Sequence, residues 1–416
     1  MKQFIIDKNS NITYFFLIVL SLFPILPMAV ESILMISAFL FSLLYFVLEG
    51  NKFWNKKKAI VLILFSTLFL IYTLSLLYTQ NISNGIKYII RLLPTVLFPV
   101  LFLFNDKDIL DTKRFEVIII TYISALVAVL LFLHVSLFSQ LYNREIHFWE
   151  FRQLIEGKIK VHGTYLSMWL GFGIILLVLN IKNLIIKKKK LLLILGVLIV
   201  IGYFMYWQYV IGSRMPFIAT LVVCFFSIFK KKRQIFIFSF LTIFLGFSII
   251  LKTDRLGERF ERLKNFTFTF PEGKYEDNYP NISPEQIRNG VYYCCFKKIE
   301  QKPLIGYGVG DVDAELQSCY DETFTNTDTY RVTSYNSHNQ YFKIVLSCGI
   351  IGLMLFLISH LYLSKVAFNR KLGIYISFIF FVLLNFCFEN ILSRHDGVIF
   401  FGFFSSFLFF QTTSDT

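Results

Sequence analysis

About twelve stretches of apolar sequence, most of them long enough to cross roughly 30 Å of hydrocarbon, constrain this chain more than any other feature. They fall near 13–30, 33–48, 59–78, 86–104, 115–138, 163–181, 191–209, 213–229, 234–251, 338–364, 372–390 and 397–411. In a bilayer every backbone N–H and C=O must be bonded within its own segment, so such runs are helices. The expected fold is therefore all-α: a polytopic integral membrane protein with about 12 transmembrane helices and one large, partly helical loop. With 56% hydrophobic and only 16% charged residues, a soluble domain of 416 residues is excluded. Most of the 50 Phe are expected on the lipid face.

Three regions follow: a bundle of about nine helices over 1–251, a polar loop over 252–337, and about three helices over 338–416. Basic residues crowd the connections on one side, at Lys56 to Lys58, Lys187 to Lys190 and Lys230 to Arg233. That side is expected to be cytoplasmic, which puts the long loop outside. The net charge of +14 then reflects topology and contact with anionic lipids, and implies no nucleic-acid partner. The first apolar run lacks a small-residue cleavage site, so no cleavable signal is expected.

Within the loop, 254–263 reads as a charged amphipathic helix and 265–282 as irregular. Ser283-Pro284-Glu285-Gln286 is a capping signature, predicting a helix over 284–301 that stops before Pro303. The glycine-rich stretch Leu304-Ile305-Gly306-Tyr307-Gly308-Val309-Gly310-Asp311 is expected to be a tight turn, ahead of phosphate binding. Asp311 and Asp313 resemble a metal-holding Asp-x-Asp, but the simpler expectation is that they cap a short helix near 312–320. Among the loop cysteines, Cys319 has two possible disulfide partners, Cys294 and Cys295. No zinc-ligand spacing occurs.

The titratable groups near the outer boundary matter more. Arg214 opens the run 213–229, where it is either a lipid anchor or part of a polar cavity. Arg91 and Glu389 are expected to pair within the bundle, and His134, His147, His360 and His395 to be structural. His338 stands where the loop meets the next apolar run, within reach of both lipid-borne and water-borne molecules. Asn339 follows it as a helix cap or an orienting group.

His338-Asn339-x-Tyr341, followed by Gly349-Ile350-Ile351-Gly352, resembles the core motif of the O-antigen ligase and polymerase superfamily of bacterial inner-membrane proteins. Ser213-Arg214 resembles the arginine before that family's loop. Arg288, followed by Pro303-Leu304-Ile305-Gly306-x-Gly308, resembles its second arginine. His162-Gly163-Thr164-Tyr165, and Glu389 with Gly397, are weaker echoes. One departure is Ser347, where members often carry an acid.

The resemblance implies transfer of a glycan from undecaprenyl pyrophosphate to an acceptor hydroxyl at the periplasmic face of the inner membrane. His338 would be the general base, Arg214 and Arg288 the pyrophosphate clamp, and Asn339 and Tyr341 supporting groups. Arginine's planar fork suits phosphate, and histidine titrates near neutrality. Implied partners are the lipid-linked donor, a lipid A–core or glycan acceptor, and membrane lipids; no cofactor and no metal are implied. The ligase is favoured over a surface-polysaccharide polymerase using the same donor, then a protein O-glycan ligase, then a twelve-helix polysaccharide flippase or transporter.

Overall fold

A computed structural model describes residues 2–49, 54–105, 109–142, 148–186, 191–229, 268–272, 282–324 and 327–411. The expected run 234–251, the amphipathic stretch 254–263 and His147 lie outside these residues. What is described is helical throughout, joined by turns and short irregular connections.

Five helices are long and apolar enough to cross a membrane: Met28–Glu49, Ile82–Leu103, Thr112–Ser136, Leu192–Ile211 and Gln340–Asn369. Two bent pairs, Lys56–Phe65 with Thr67–Ser75 and Glu150–Ile159 with Gly163–Leu179, raise the number to seven if each pair is one span. Arg214–Ser227, Gly373–Phe386 and His395–Phe409 are shorter apolar helices. The chain is thus a polytopic membrane protein; by length and composition five to seven spans qualify among the described residues, the three shorter apolar helices fall below that length, and the run 234–251 lies outside these residues.

The phenylalanines divide differently from the expectation. In helix His395–Phe409 every residue from Gly397 onward is buried, and this helix runs through the bundle core. Its Phe404 ring meets Tyr122 and Phe172, each at 4.7 Å between centroids. An apolar run buried by other helices and one facing lipid have the same composition, so sequence alone does not separate them.

A second, smaller core lies under the loop. Helix Pro284–Gln301 starts at Ser283, whose hydroxyl accepts from Gln286 N–H while the Gln286 side chain accepts from Ser283 N–H. It packs Val291, Cys294 and Cys295 against Leu316, Cys319 and Tyr320 of helix Val312–Thr323. A Cys294–Cys319 disulfide joins the two helices; Cys295 is free and buried.

Helix Gln340–Asn369 is broken at Gly349, which has φ 66° and ψ −175°. The break deprives the carbonyls of Leu346 and Ser347 of their helical partners, and the segment 303–311 supplies replacements. Tyr307 N–H donates to Leu346 O at 2.7 Å and Gly308 N–H to Ser347 O at 2.9 Å, while Ile350 N–H donates to Pro303 O at 2.8 Å. The segment is a strap laid across the break. A Cβ on Gly349 would sit 1.9 Å from Leu304 O, and one on Gly308 2.2 Å from Thr79 Oγ1.

Asp311 clamps the far end of the strap. Its carboxylate accepts from the backbone N–H groups of Gln80 and Asn81 at 2.7 and 2.8 Å and makes no side-chain cap to its own helix, contrary to the capping expectation. Asp313 accepts from Lys343 at 2.9 Å and from Tyr88 OH at 2.7 Å. Gly349→Ala should therefore lower stability by about 1–3 kcal/mol or more, since it combines a positive φ with a backbone collision. Thermal unfolding of the purified protein in detergent checks this; an unchanged midpoint would mean that the strap does not need the break.

Candidate active site

His338 occupies the turn before the broken helix, with φ 43°, a left-handed conformation uncommon for a residue with a Cβ. Its neighbours hold it there. Asn336 Oδ1 accepts from His338 N–H at 2.9 Å. Asn339 Oδ1 caps the helix by accepting from Tyr341 and Phe342 N–H, and its Nδ2 donates to Cys387 O. Tyr341 OH donates to Leu383 O, Gln340 Oε1 accepts from Leu392 N–H, and Ser337 is bonded to Asn390. The turn carrying His338 is thereby stapled to the chain between Leu383 and Leu392. Asn339 and Tyr341 are both members of this anchoring network.

Glu389 belongs to the same stapled stretch. Its Oε2 lies 4.0 Å from His338 Nδ1, a buried nitrogen with no hydrogen-bond partner among the described residues. Burial pushes the His338 imidazole down from its ordinary value to about 4. Glu389 opposes that shift, and Arg288, His162 and Arg394 add to it. The ring is therefore neutral across the physiological range, beside one carboxylate and within the field of two guanidinium groups.

The two arginines singled out in the sequence are brought to one place by a carboxylate. Arg214, at the start of helix Arg214–Phe229, pairs with Glu285 in the first turn of helix Pro284–Gln301. Arg288 is one helical turn further along, exposed and without an ion-pair partner among the described residues. Arg214 is thus charge-compensated, whereas Arg288 has no such carboxylate among the described residues.

Other groups gather here that local sequence did not mark. Arg152 and Glu156 form an i,i+4 pair at 2.9 Å in helix Phe148–Ile159. The same Glu156 oxygen accepts from Gly163 N–H at 2.8 Å, and Arg152 reaches Thr164 at 3.1 Å and His162 at 3.4 Å. The weak His162 echo thus lies in the same neighbourhood as Glu389. Arg394 precedes helix His395–Phe409, while His395, expected to be merely structural, pairs with buried Glu31 at 3.0 Å. Arg91 is held over the Tyr88 ring and reaches Ser393 O at 3.4 Å. Ser347, at the position where the family often has an acid, turns its hydroxyl to Lys343 O at the strap crossing.

Among the described residues no group of three or more His, Cys, Asp or Glu side chains is placed to hold a metal ion. The oxygens of Asp311 and Asp313 already receive backbone amides, Lys343 and Tyr88.

Residues 208–357 match the family model described as O-antigen ligase. The matched segment runs from the end of helix Leu191–Ile211 through the loop to beyond the break at Gly349, taking in Arg214, Arg288 and His338. No curated protein matches the chain. Over that segment, about a third of the chain, the sequence is similar to the O-antigen ligase family.

The neutrality of His338 is open to a direct chemical test. Diethyl pyrocarbonate acylates only the neutral imidazole, so His338 modification, followed by mass spectrometry, should be nearly constant from about pH 7.5 to pH 5. An imidazole titrating near 6.5 would instead slow about thirtyfold over that interval, and such a fall would contradict the neutral ring.

Proposed function

We propose that this protein transfers a glycan from undecaprenyl pyrophosphate to a hydroxyl of lipid A–core, on the periplasmic side of the bacterial inner membrane, without a metal or other cofactor. The observation that carries the reading is a neutral, strained histidine, held beside a carboxylate and within the field of an unpaired arginine, at the mouth of an O-antigen ligase domain.

In this reading the acceptor oxygen attacks the anomeric carbon, the bond from that carbon to the pyrophosphate oxygen breaks, and undecaprenyl pyrophosphate leaves with the electron pair. The hydroxyl proton passes to His338. Nδ1 is the buried nitrogen facing Glu389, so Nε2 is the one that receives it. A shortening of the Glu389 contact by about 1 Å would turn it into a hydrogen bond that orients the ring and stabilises the imidazolium. With a conjugate acid near pKa 4, the free protein holds a base that is always available but weak. The bound pyrophosphate adds negative charge next to the ring and raises its basicity, so donor binding prepares the base.

Arg288 meets the negative charge that builds on the leaving oxygens, and its fork matches phosphate geometry. Arg214 contributes mainly by fixing the loop helix through Glu285, and shares the phosphate only if that pair opens. Because the activated donor stores the energy of transfer, a base and cations suffice. The orientation is supported by the basic connections on the opposite side and by the Cys294–Cys319 bond, which belongs in an oxidising compartment.

Purified protein with donor and acceptor supplied should lose about 10²–10⁴ in rate on His338→Gln, while still binding the lipid-linked donor. Chelation by EDTA should leave the wild type unaffected. A Gln variant near wild-type rate would reduce His338 to an ordering role, and inhibition by EDTA would overturn the metal-free mechanism.

In cells, loss of the protein should leave unmodified lipid A–core with long polymer stranded on the lipid carrier. Core bearing a single repeat unit would identify a polymerase instead, and loss of surface glycoprotein with neither change would indicate protein glycosylation.

A further inference from the structure

The strap that fills the break at Gly349 carries its apolar side chains on the outside. Leu304 is 61% exposed and Ile305 55%, while the glycine-rich part that follows, from Gly306 to Gly310, is buried. A loop surrounded by water would do the opposite, turning its leucine and isoleucine inward. The residues bonded to this part of the strap are apolar and exposed as well. Tyr78 donates its hydroxyl to Ile305 O at 2.8 Å, and Leu77 beside it is 86% exposed. Ile350 and Ile351, both exposed, donate their N–H groups to Pro303 O at 2.8 Å and Leu304 O at 3.5 Å. Three separate parts of the chain thus meet in one apolar patch.

The backbone of the patch suits a solvent that cannot hydrogen-bond. Lys302 O accepts from Gly306 N–H at 3.3 Å, so that with Tyr78 and the two isoleucines every carbonyl from Lys302 to Ile305 has a donor. Pro303 has no N–H to satisfy. Turns in water can leave such carbonyls to the solvent, whereas hydrocarbon requires them to be bonded within the protein.

The patch also lies where a span ends. From Ile350 to Asn369 the helix runs about 30 Å, one hydrocarbon thickness, so the break stands at its boundary. Leu77 directly follows the bent pair Lys56–Phe65 and Thr67–Ser75, at the end away from Lys56. Groups suited to the headgroup level adjoin the patch: the Tyr78 hydroxyl, and Lys302, whose ammonium stands 4.6 Å from the centroid of the Tyr307 ring.

We propose that the strap is inserted into the membrane, with Leu304 and Ile305 against phospholipid acyl chains and Lys302 on the phosphate of an anionic headgroup. The apolar patch matches the chains, and the lysine matches the charge. The polar loop is then anchored in lipid at the end of helix Pro284–Gln301 opposite to Arg288. This contact is independent of the transfer chemistry, since it concerns only where protein meets hydrocarbon.

The test uses the full-length protein in nanodiscs of phosphatidylethanolamine and phosphatidylglycerol. Leu304→Cys, Ile305→Cys and Leu77→Cys are made in a Cys387→Ser chain, whose remaining native cysteines are buried or disulfide-bonded, and are labelled with a nitroxide. In power-saturation electron paramagnetic resonance all three labels should collide more with oxygen than with a water-soluble nickel chelate. Glu322→Cys, at an exposed position of helix Val312–Thr323, should show the reverse. Nickel-dominated signals at Leu304→Cys and Ile305→Cys would place the strap in water and overturn the proposal. So would dipolar broadening between labels on two copies, which would make the patch a self-association surface, or loss of oxygen access on adding undecaprenyl phosphate, which would give it to a polyprenyl chain. Lys302→Gln should carry about fivefold less phosphatidylglycerol through detergent purification than the wild type, the effect of one lysine at an anionic surface. Unchanged retention would overturn the headgroup contact.

Discussion

The break at Gly349 and the strap that fills it determine how the loop and the bundle fit together. A helix interrupted in an apolar setting leaves carbonyls and amides that no water can satisfy, at a cost of several kcal/mol for each group. The strap answers this group by group: Tyr307 and Gly308 N–H take the carbonyls of Leu346 and Ser347, and Pro303 O takes Ile350 N–H. Backbone contact this close excludes side chains, so Gly306, Gly308 and Gly349 meet where the two chains cross. Once seated, the strap is clamped by Asp311 on the amides of Gln80 and Asn81, and by Asp313 on buried Lys343. The polar loop is therefore part of the membrane fold, and the start of the broken helix, with Asn339 and His338 on it, has little freedom to move.

That rigidity gives the histidine its electrostatic character. An imidazole with ordinary exposure would be partly charged near neutrality and partly silent as a base. Here burial keeps it neutral, the carboxylate of Glu389 lies 4.0 Å from its buried nitrogen, and the nearby guanidinium charges oppose protonation. The left-handed backbone at φ 43° is tolerated because the flanking residues are bonded on both sides, from Asn336 to Gln340. Local strain maintained by a well-bonded surround is common at catalytic positions.

Much of this was legible in the sequence wherever the signal was local. The capping box at Ser283 and Gln286 needs only four residues to be read, and the helix begins there. Apolar runs identify a membrane protein, but they do not say which face of a helix meets lipid or where a helix bends; the buried phenylalanines of His395–Phe409 and the bend between Phe65 and Thr67 depend on tertiary packing. Asp311 looked like a cap for the helix that follows it, yet its partners lie more than two hundred residues earlier in the chain. Gly349 and Gly352 were visible as a motif, but the reason for the first glycine is the carbonyl of Leu304, invisible until the strap is in place. Arg152 and Glu31 carried no local signal because their contacts to Thr164 and His395 lie in other helices; an i,i+4 Arg152–Glu156 spacing just before His162 was the one hint available.

The pairing of Arg214 with Glu285 changes how the cationic side of the site should be understood. A guanidinium already neutralised by a carboxylate adds geometry more than charge, and this pair ties the bundle helix Arg214–Phe229 to the first turn of the loop helix. Arg288, three residues beyond Glu285, stands on the helix that Arg214 holds and has no ion-pair partner among the described residues. Two arginines that look equivalent in sequence thus differ: one is bound to the loop helix through a carboxylate, and the other lies exposed in the field that reaches His338. Removing either would weaken phosphate binding in the transfer reading, but through different causes, loss of position for Arg214 and loss of charge for Arg288.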